Sequence, residues 1–373
     1  MADLQIMAPE RVGLRPAQLQ RAYDLLAKWT DTGEVPSASL CVGRRGGVVE
    51  PRFFGRQRIG QDAPLGADAL FLMASITKPV TATAVMLLLE RGKVKLDDRV
   101  AEFIPTFGQQ GKADVRIRHL LTHTSGLPDM LPDNDRLRAK HRPLEAFVEG
   151  ACRQPLAFPP GSQLQYQSMG FAVLAEVVHQ VEGVTLAECL RRDVFEPLGM
   201  RETSLGWRPE TKDRIAEVRL SAAQVQAADW NWNSPYWRGF GAPWGGLISA
   251  PADMARLCLM LLGGGSWGST RILGPATVRA MTSNQLATMP DLPEVERRCR
   301  PWGLGWRLAW PGQPANFGDL MVPPTYGHWG ATGTLCWLDP ATETFCLILT
   351  TQPQGDDGKF LARISNIVAA AVG

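Results

Sequence analysis

The chain's 373 residues, 45% of them hydrophobic, can bury a large core and exceed the usual size of one compact module, so two subdomains are expected. The 39 Lys+Arg nearly cancel the 37 Asp+Glu, and a net charge of +2 supplies no long-range field for nucleic acid or an acidic membrane surface. No apolar run nears the ~20 residues of a membrane helix, no basic-then-apolar leader opens the chain, and the scattered seven cysteines hold no Cys-x-x-Cys pair. The expectation is a cytoplasmic protein with free, mostly buried thiols, acting on a small molecule without metal, cofactor, nucleic acid or membrane, its oligomeric state left open.

In chain order, residues 15–31 predict a helix, with Leu19, Ala22, Leu25, Leu26 and Trp29 at helical spacing. Segments 38–42 and 48–54 predict strands around a Gly-rich turn at 43–47. A strong helical pattern over 80–91 stops at Gly92. Helices are also predicted over 116–123, 143–152, 169–182, 185–195 and 251–262, the last opened by Pro251 and Asp253. Two strands, 334–338 and 344–351, flank a turn at 339–343, and a helix over 359–372 closes the chain. Strands at both ends with helices between them predict a mixed α and β fold. An antiparallel sheet built from both termini (1–74 and 243–373) is flanked by helices, and 75–242 forms an inserted, mainly helical domain.

Within that frame Ser75-Ile-Thr-Lys78 places a hydroxyl and an amine three residues apart, about one helical turn, on a shared face. Pro79 is tolerated only near a helix start, so Ser75 is expected at the N-terminus of a 75–91 helix, where the dipole favours a developing alkoxide. An amine beside the hydroxyl can then remove its proton. Tyr166-Gln-Ser168 sits at a loop–helix junction, where a phenol can act as base and then acid; the plainer readings are a core aromatic for Tyr166 and a helix cap for Ser168. His328-Trp329-Gly330 precedes the strand at 334, where a glycine admits a ligand to a strand edge and the amide of Ala331 can stabilise an oxyanion; the plainer reading is a Gly-rich strand entry.

Taken together, the order Ser-x-x-Lys, Tyr-x-Ser, His-x-Gly resembles class C β-lactamases, DD-peptidases and family VIII carboxylesterases. His123-Thr-Ser-Gly-Leu127, residues 92–98, Pro197-Leu-Gly-Met200 and Gly245-Gly-Leu-Ile-Ser249 extend the resemblance over most of the chain. The resemblance implies a β-lactamase/transpeptidase-like fold with the site between its two parts. It implies catalysis through an acyl-enzyme on Ser75, with Lys78 and Tyr166 moving the proton in an order left open, and an oxyanion hole of the Ser75 and Ala331 amides. Two departures bear on the substrate: Ser168 stands where the family usually has Asn, and His328 where it usually has Lys. A mostly neutral His is a poor anion partner, which favours a small neutral carboxylic ester over a β-lactam, a D-amino-acid peptide or amide, or an acyl-transfer substrate.

The run Trp230-Asn-Trp-Asn-Ser-Pro-Tyr-Trp237, with Phe240 and Trp244, is rich in aromatics among a total of 12 Trp. Trp237 and Tyr236 are candidate walls of an apolar pocket beside Ser168, His328, Trp329 and Gly330; domain packing is the alternative. Gly264-Gly-Ser-Trp-Gly268 matches a nucleophile elbow in letters, but a helix rather than a strand precedes it, and it would need Asp319 or Asp291 with His328 as partners. His119 and His123 are spaced i, i+4 without the Glu of a zinc protease, so no metal site is expected. A catalytically silent relative that binds a ligand or protein is the rival reading, disfavoured because Ser75, Lys78 and Tyr166 are all present.

Overall fold

The computed structural model describes residues 3–310, 317–355 and 358–373. Its main sheet draws on both ends of the chain. From the N-terminal part come β1 (Ser37–Arg44), β2 (Gly47–Val48) and β3 (Arg52–Gly55). Two short strands, β4 (Phe71–Leu72) and β5 (Ser204–Leu205), pair with β6 (Leu247–Ser249) in a separate three-stranded sheet, and β7 (Ser266–Trp267) and β8 (Thr270–Arg271) form a lone hairpin. The C-terminal part returns β9 (Arg307–Leu308), β10 (Tyr326–Gly330), β11 (Thr334–Asp339) and β12 (Thr344–Thr350) to the main sheet. That sheet is antiparallel, ordered β2-β1-β12-β11-β10-β9, with β3 also on β1.

Both faces of this sheet are covered, which explains why β1 and β12 are buried along their whole length. Successive side chains point to opposite faces. Ala38, Leu40, Val42, Cys346, Ile348, Leu335 and Trp337 join one core with the Pro16–Asp31 and Lys359–Ala369 helices, through Leu19, Leu26, Trp29, Leu361 and Ile364. Cys41, Leu347, Leu349, Cys336 and Leu338 enter the other core, against Met254, Ala255 and Cys258 of the Pro251–Leu262 helix. Truncating a central residue such as Ile348 to Ala would cost roughly 2–5 kcal/mol.

The chain between the two sets of strands is mainly helical. At its centre Thr77–Glu90 is buried all round from Thr77 to Leu88, as a helix apolar on every side must be, and it packs on Met169–Glu182 and Leu186–Leu190. The three-stranded sheet fastens the segment entering this helix: Phe71 pairs with Ser249, Leu72 with Ile248, and the Met73 amide donates to the Leu247 carbonyl at 2.9 Å.

Three elements differ from the sequence expectation. The predicted strand over 48–54 divides into β2 and β3, because Pro51 cannot donate to a ladder. The helix predicted over 185–195 changes at Arg191–Phe195 into a π-turn. Residues 326–330, read as the entry to a strand, are themselves β10; two glycines obscured it. A Cβ on Gly327 would lie 2.3 Å from the Cys336 carbonyl oxygen, so the strand needs that glycine to approach β11. All seven cysteines are free, and only Cys299 is not buried.

Candidate active site

Ser75 lies not in the long helix but in the 3₁₀ turn Ala74–Ile76 that leads into it. Ala74, just before it, has φ +47°, a left-handed conformation that costs a non-glycine residue about 1–3 kcal/mol unless the surroundings fix it. Here they do. Thr77 Oγ1 donates to the Ala74 carbonyl at 2.6 Å and accepts from the Leu247 amide at 3.0 Å. Thr332 Oγ1 donates to the Leu72 carbonyl at 2.8 Å and Thr334 Oγ1 to the Met73 carbonyl at 2.9 Å. Gly330 permits this clamp, since a Cβ there would fall 2.4 Å from the Met73 carbonyl oxygen and 2.3 Å from Thr334 Oγ1. Its role is to seat β10 against the serine turn; it does not line the cavity.

The structure brings the three candidate reactive groups together. Lys78 Nζ donates to Ser75 Oγ at 3.1 Å and to the Trp244 carbonyl at 3.1 Å. The Tyr166 hydroxyl lies near enough to Ser75 for that residue to act on its proton, and Lys78 Nζ sits 4.5 Å from the Tyr166 ring centroid. Burial lowers the Lys78 ammonium to about 7, with Asp129 opposing the shift, so much of it is neutral near pH 7. Burial pushes the Tyr166 phenol far above its ordinary range, keeping its proton on, although Ser75 beside it pulls the other way. The Ser75 and Ala331 amides take no backbone partner among the described residues, and both residues line the same cavity.

His123 supports Tyr166 from behind. The rings stack at 4.6 Å, His123 Nδ1 accepts from the Gln167 amide at 3.0 Å, and Trp302 meets the imidazole edge-on at 4.6 Å. Burial, helped by the Lys78 charge, holds His123 well below its ordinary range and therefore neutral. Gln167, a mere spacer in the sequence motif, ties the loop down by donating to the His119 and Leu120 carbonyls and accepting from Ser125. Ser168 makes no capping bond to the Met169–Glu182 helix; it lines the cavity.

That cavity, of about 420 Å³, is lined by Ser75, Tyr166, Ser168 and Ala331 together with aromatics, among them Trp237, Trp302 and Trp329. Besides Gly330, two more of the residues expected around the pocket are outside its lining. His328 is buried and lies outside the cavity lining; its Nδ1 bonds the Trp329 carbonyl at 2.7 Å, and burial next to Lys78 lowers it to about 3. Strand alternation puts it on the sheet face of Cys336, behind Tyr166 and Trp302 at ring-centroid distances of 6.0 and 6.1 Å, while Trp329 lies on the face of Leu335 beside Phe317 and reaches the cavity from there. Tyr236 points outward, stacked on His141 at 4.6 Å with its hydroxyl on the Arg142 carbonyl at 2.8 Å. The argument for a neutral substrate from His328 therefore falls, because the cations of this cavity are Arg138, Arg300 and Arg307.

Sequence reasoning missed those arginines, Asp129, the Trp244 carbonyl and His123 as the support of Tyr166. The i, i+4 histidines and the Gly245 segment pointed to the last two, whereas no local pattern marked the arginines. The Gly264–Gly268 match is no elbow: Ser266 opens the β7–β8 hairpin directly after a helix, and Asp319 is engaged by Asn366 at 2.7 Å.

Comparison with known proteins agrees with this geometry. A putative D-alanyl-D-alanine carboxypeptidase of Escherichia coli (strain K12) is 27% identical, the match covering 93% of this chain and 85% of that one. The crystal structure of a penicillin-binding protein homologue from Caulobacter crescentus superposes with a TM-score of 0.80 at 25% identity, covering 96% of this chain and 99% of the other. That of a family VIII carboxylesterase gives 0.76 at 23% identity, covering 96% and 99%. With the sheet, the serine turn and the spacing of its partners in place, the match of the Beta-lactamase family profile to residues 22–370 completes the case: the chain belongs to the β-lactamase family, whose fold is that of a serine hydrolase.

Proposed function

We propose that this protein is a serine hydrolase that cleaves small carboxylic esters through an acyl-enzyme on Ser75. The observation that carries the reading is the 3.1 Å contact of Lys78 Nζ with Ser75 Oγ, made by an amine that burial brings to about 7. Neutral Lys78 takes the Ser75 proton as Oγ attacks the ester carbonyl. The Ser75 and Ala331 amides receive the oxyanion. Tyr166, held protonated, passes a proton to the departing alkoxide and is restored from Lys78. Water then attacks the acyl-enzyme as Lys78 accepts its proton, and the acid leaves with Ser75 Oγ protonated again.

A second reading is cleavage of the amide of a D-amino-acid peptide, favoured by the name of the Escherichia coli relative. A fluorophosphonate should label the peptide holding residues 75–78 in the native enzyme and nothing in Ser75→Ala. A panel of p-nitrophenyl esters, a chromogenic cephalosporin and a D-alanyl-D-alanine peptide should show short acyl esters cut fastest. Labelling that persists in Ser75→Ala, at Ser266 above all, refutes the nucleophile; faster peptide or lactam turnover refutes the ester.

A further inference from the structure

Arg138, on the helix Asn134–Ala139, lines the cavity at 9% exposure and makes no ion pair among the described residues. Its Nε has no acceptor, and its Nη2 reaches the Met130 sulfur at 3.9 Å. The guanidinium lies over the Trp237 ring, 4.1 Å from the centroid. Burial lowers it to about 10, while Tyr236, Asp135 and Asp129 act the other way from a distance. A desolvated cation with no contacting anion is costly. Distant carboxylates offset part of that charge, and a second aromatic face can offset more, because the face of a ring carries the negative end of its quadrupole.

Gly245 sets how far this stack lies from the reacting atoms. A Cβ on Gly245 would fall 3.9 Å from Trp237 Cζ2 and 3.9 Å from the Ala74 carbonyl carbon. The indole edge and the serine turn are thus one van der Waals contact away on either side of that glycine, a gap that a short methylene linker spans. Tyr166 sits in one ring cluster, with His123, Trp302 and His328, and Trp237 in another, with Phe240 and Trp244. In the proposed reaction Tyr166 protonates the departing alkoxide. The alcohol therefore belongs beside the first cluster and the acyl group beside the second.

We propose that Arg138 is a specificity residue, and that the acyl group of the substrate ends in an aromatic ring that stacks on the guanidinium face not covered by Trp237. This rests on the hydrolase reading for the direction in which the ester lies. The substrate class is an ester of a short arylalkanoic acid, and hydrolysis releases that acid and an alcohol.

Binding is tested apart from catalysis, by calorimetry in Ser75→Ala, with methyl hydrocinnamate and its cyclohexyl and pentafluorophenyl counterparts. The phenyl ester should bind at least about fivefold tighter than either, since one replacement has no π face and the other reverses the ring quadrupole. A merely apolar pocket ranks them the other way, because both replacements are at least as apolar as phenyl. Arg138→Met keeps the length and drops the charge, and should bring both ratios below about twofold; Arg138→Lys should keep part of them and Arg307→Met should leave them. Cyclohexyl or pentafluorophenyl binding as tight as phenyl, or ratios that survive Arg138→Met or vanish in Arg307→Met, overturn the proposal. So does a ring preference shown by benzyl propanoate over cyclohexylmethyl propanoate and not by the hydrocinnamate, which would put the ring on the alcohol. In the active enzyme, p-nitrophenyl hydrocinnamate should exceed its cyclohexyl counterpart in kcat/KM by a similar factor. If neither ester is cut while the binding ratios hold, the ester reading has failed and the arginine assignment stands.

Discussion

The floor of the cavity and its aromatic wall are held by different forces. On the floor, the Ser75 turn, Lys78 and the Tyr166 loop are fixed by hydrogen bonds whose partners lie at set spacings along strands and helices. In the wall, Trp237, Trp244 and Trp302 have buried indole N–H groups without an acceptor, and Arg138 and Arg307 are held by stacking. The floor has spent its polar groups on its own geometry, whereas the wall keeps its donors for something else. Reaction type is thus a property of the floor and substrate choice a property of the wall, and a substitution should disturb one without the other.

The sharpest break comes from Lys78→Met, which should lower kcat/KM by about 10³–10⁴-fold, as loss of a general base and activating amine does. The same change removes a buried amine, so the melting temperature measured at pH 6 should rise. The sign follows from linkage. Lys78 drops from its ordinary 10.5 to about 7 in the folded chain, so the unfolded chain holds more protons between those values. The cost of burying it is fully present below about 7 and fades as pH climbs toward 10.5, and the stabilisation by Met should fade over the same window. Tyr166→Phe keeps the ring on His123 but removes the hydroxyl, and should cost about 10²–10³-fold in kcat with little change in KM.

Gly330→Ala forces β10 away from the Met73 carbonyl and should reduce kcat/KM by about 10–100-fold, with a stability loss of about 1–3 kcal/mol read by urea unfolding. A pH profile of native kcat/KM should rise with an apparent midpoint near 7, falling about tenfold for each pH unit below it, because only neutral Lys78 accepts the Ser75 proton. A profile flat from pH 5.5 to 8 would separate Lys78 from the role of base. Smallest of all, Ser168→Ala, at the edge between floor and wall, should change kcat/KM by less than about fivefold and leave the melting temperature alone, since no capping bond is lost.

The same division decided what the sequence disclosed. The floor is written in short spacings: Ser75 to Lys78 is one helical turn, Tyr166 to Ser168 one loop end, and the helices 169–182 and 251–262 coincide with Met169–Glu182 and Pro251–Leu262. The apolar runs over 334–338 and 344–351, with a turn between them, likewise coincide with β11 and β12, which are buried on both faces. The wall is assembled from residues far apart in sequence. Arg138 meets Trp237 across 99 positions and Arg307 meets Trp329 across 22, and a cation–aromatic stack leaves no period to read. His328 misled for a related reason. Its place in a motif was legible, but the face of β10 on which it lies depends on a strand that Gly327 and Gly330 disguised.

The clamp on the serine turn also has a timing. Leu72 and Met73 are held by threonines 260 and 261 residues further along, and the sheet that carries those threonines closes only when β12 pairs with β1. The reactive hydroxyl therefore cannot be set in place until synthesis has passed β12. Until then the nascent chain carries its serine, lysine and tyrosine in silence.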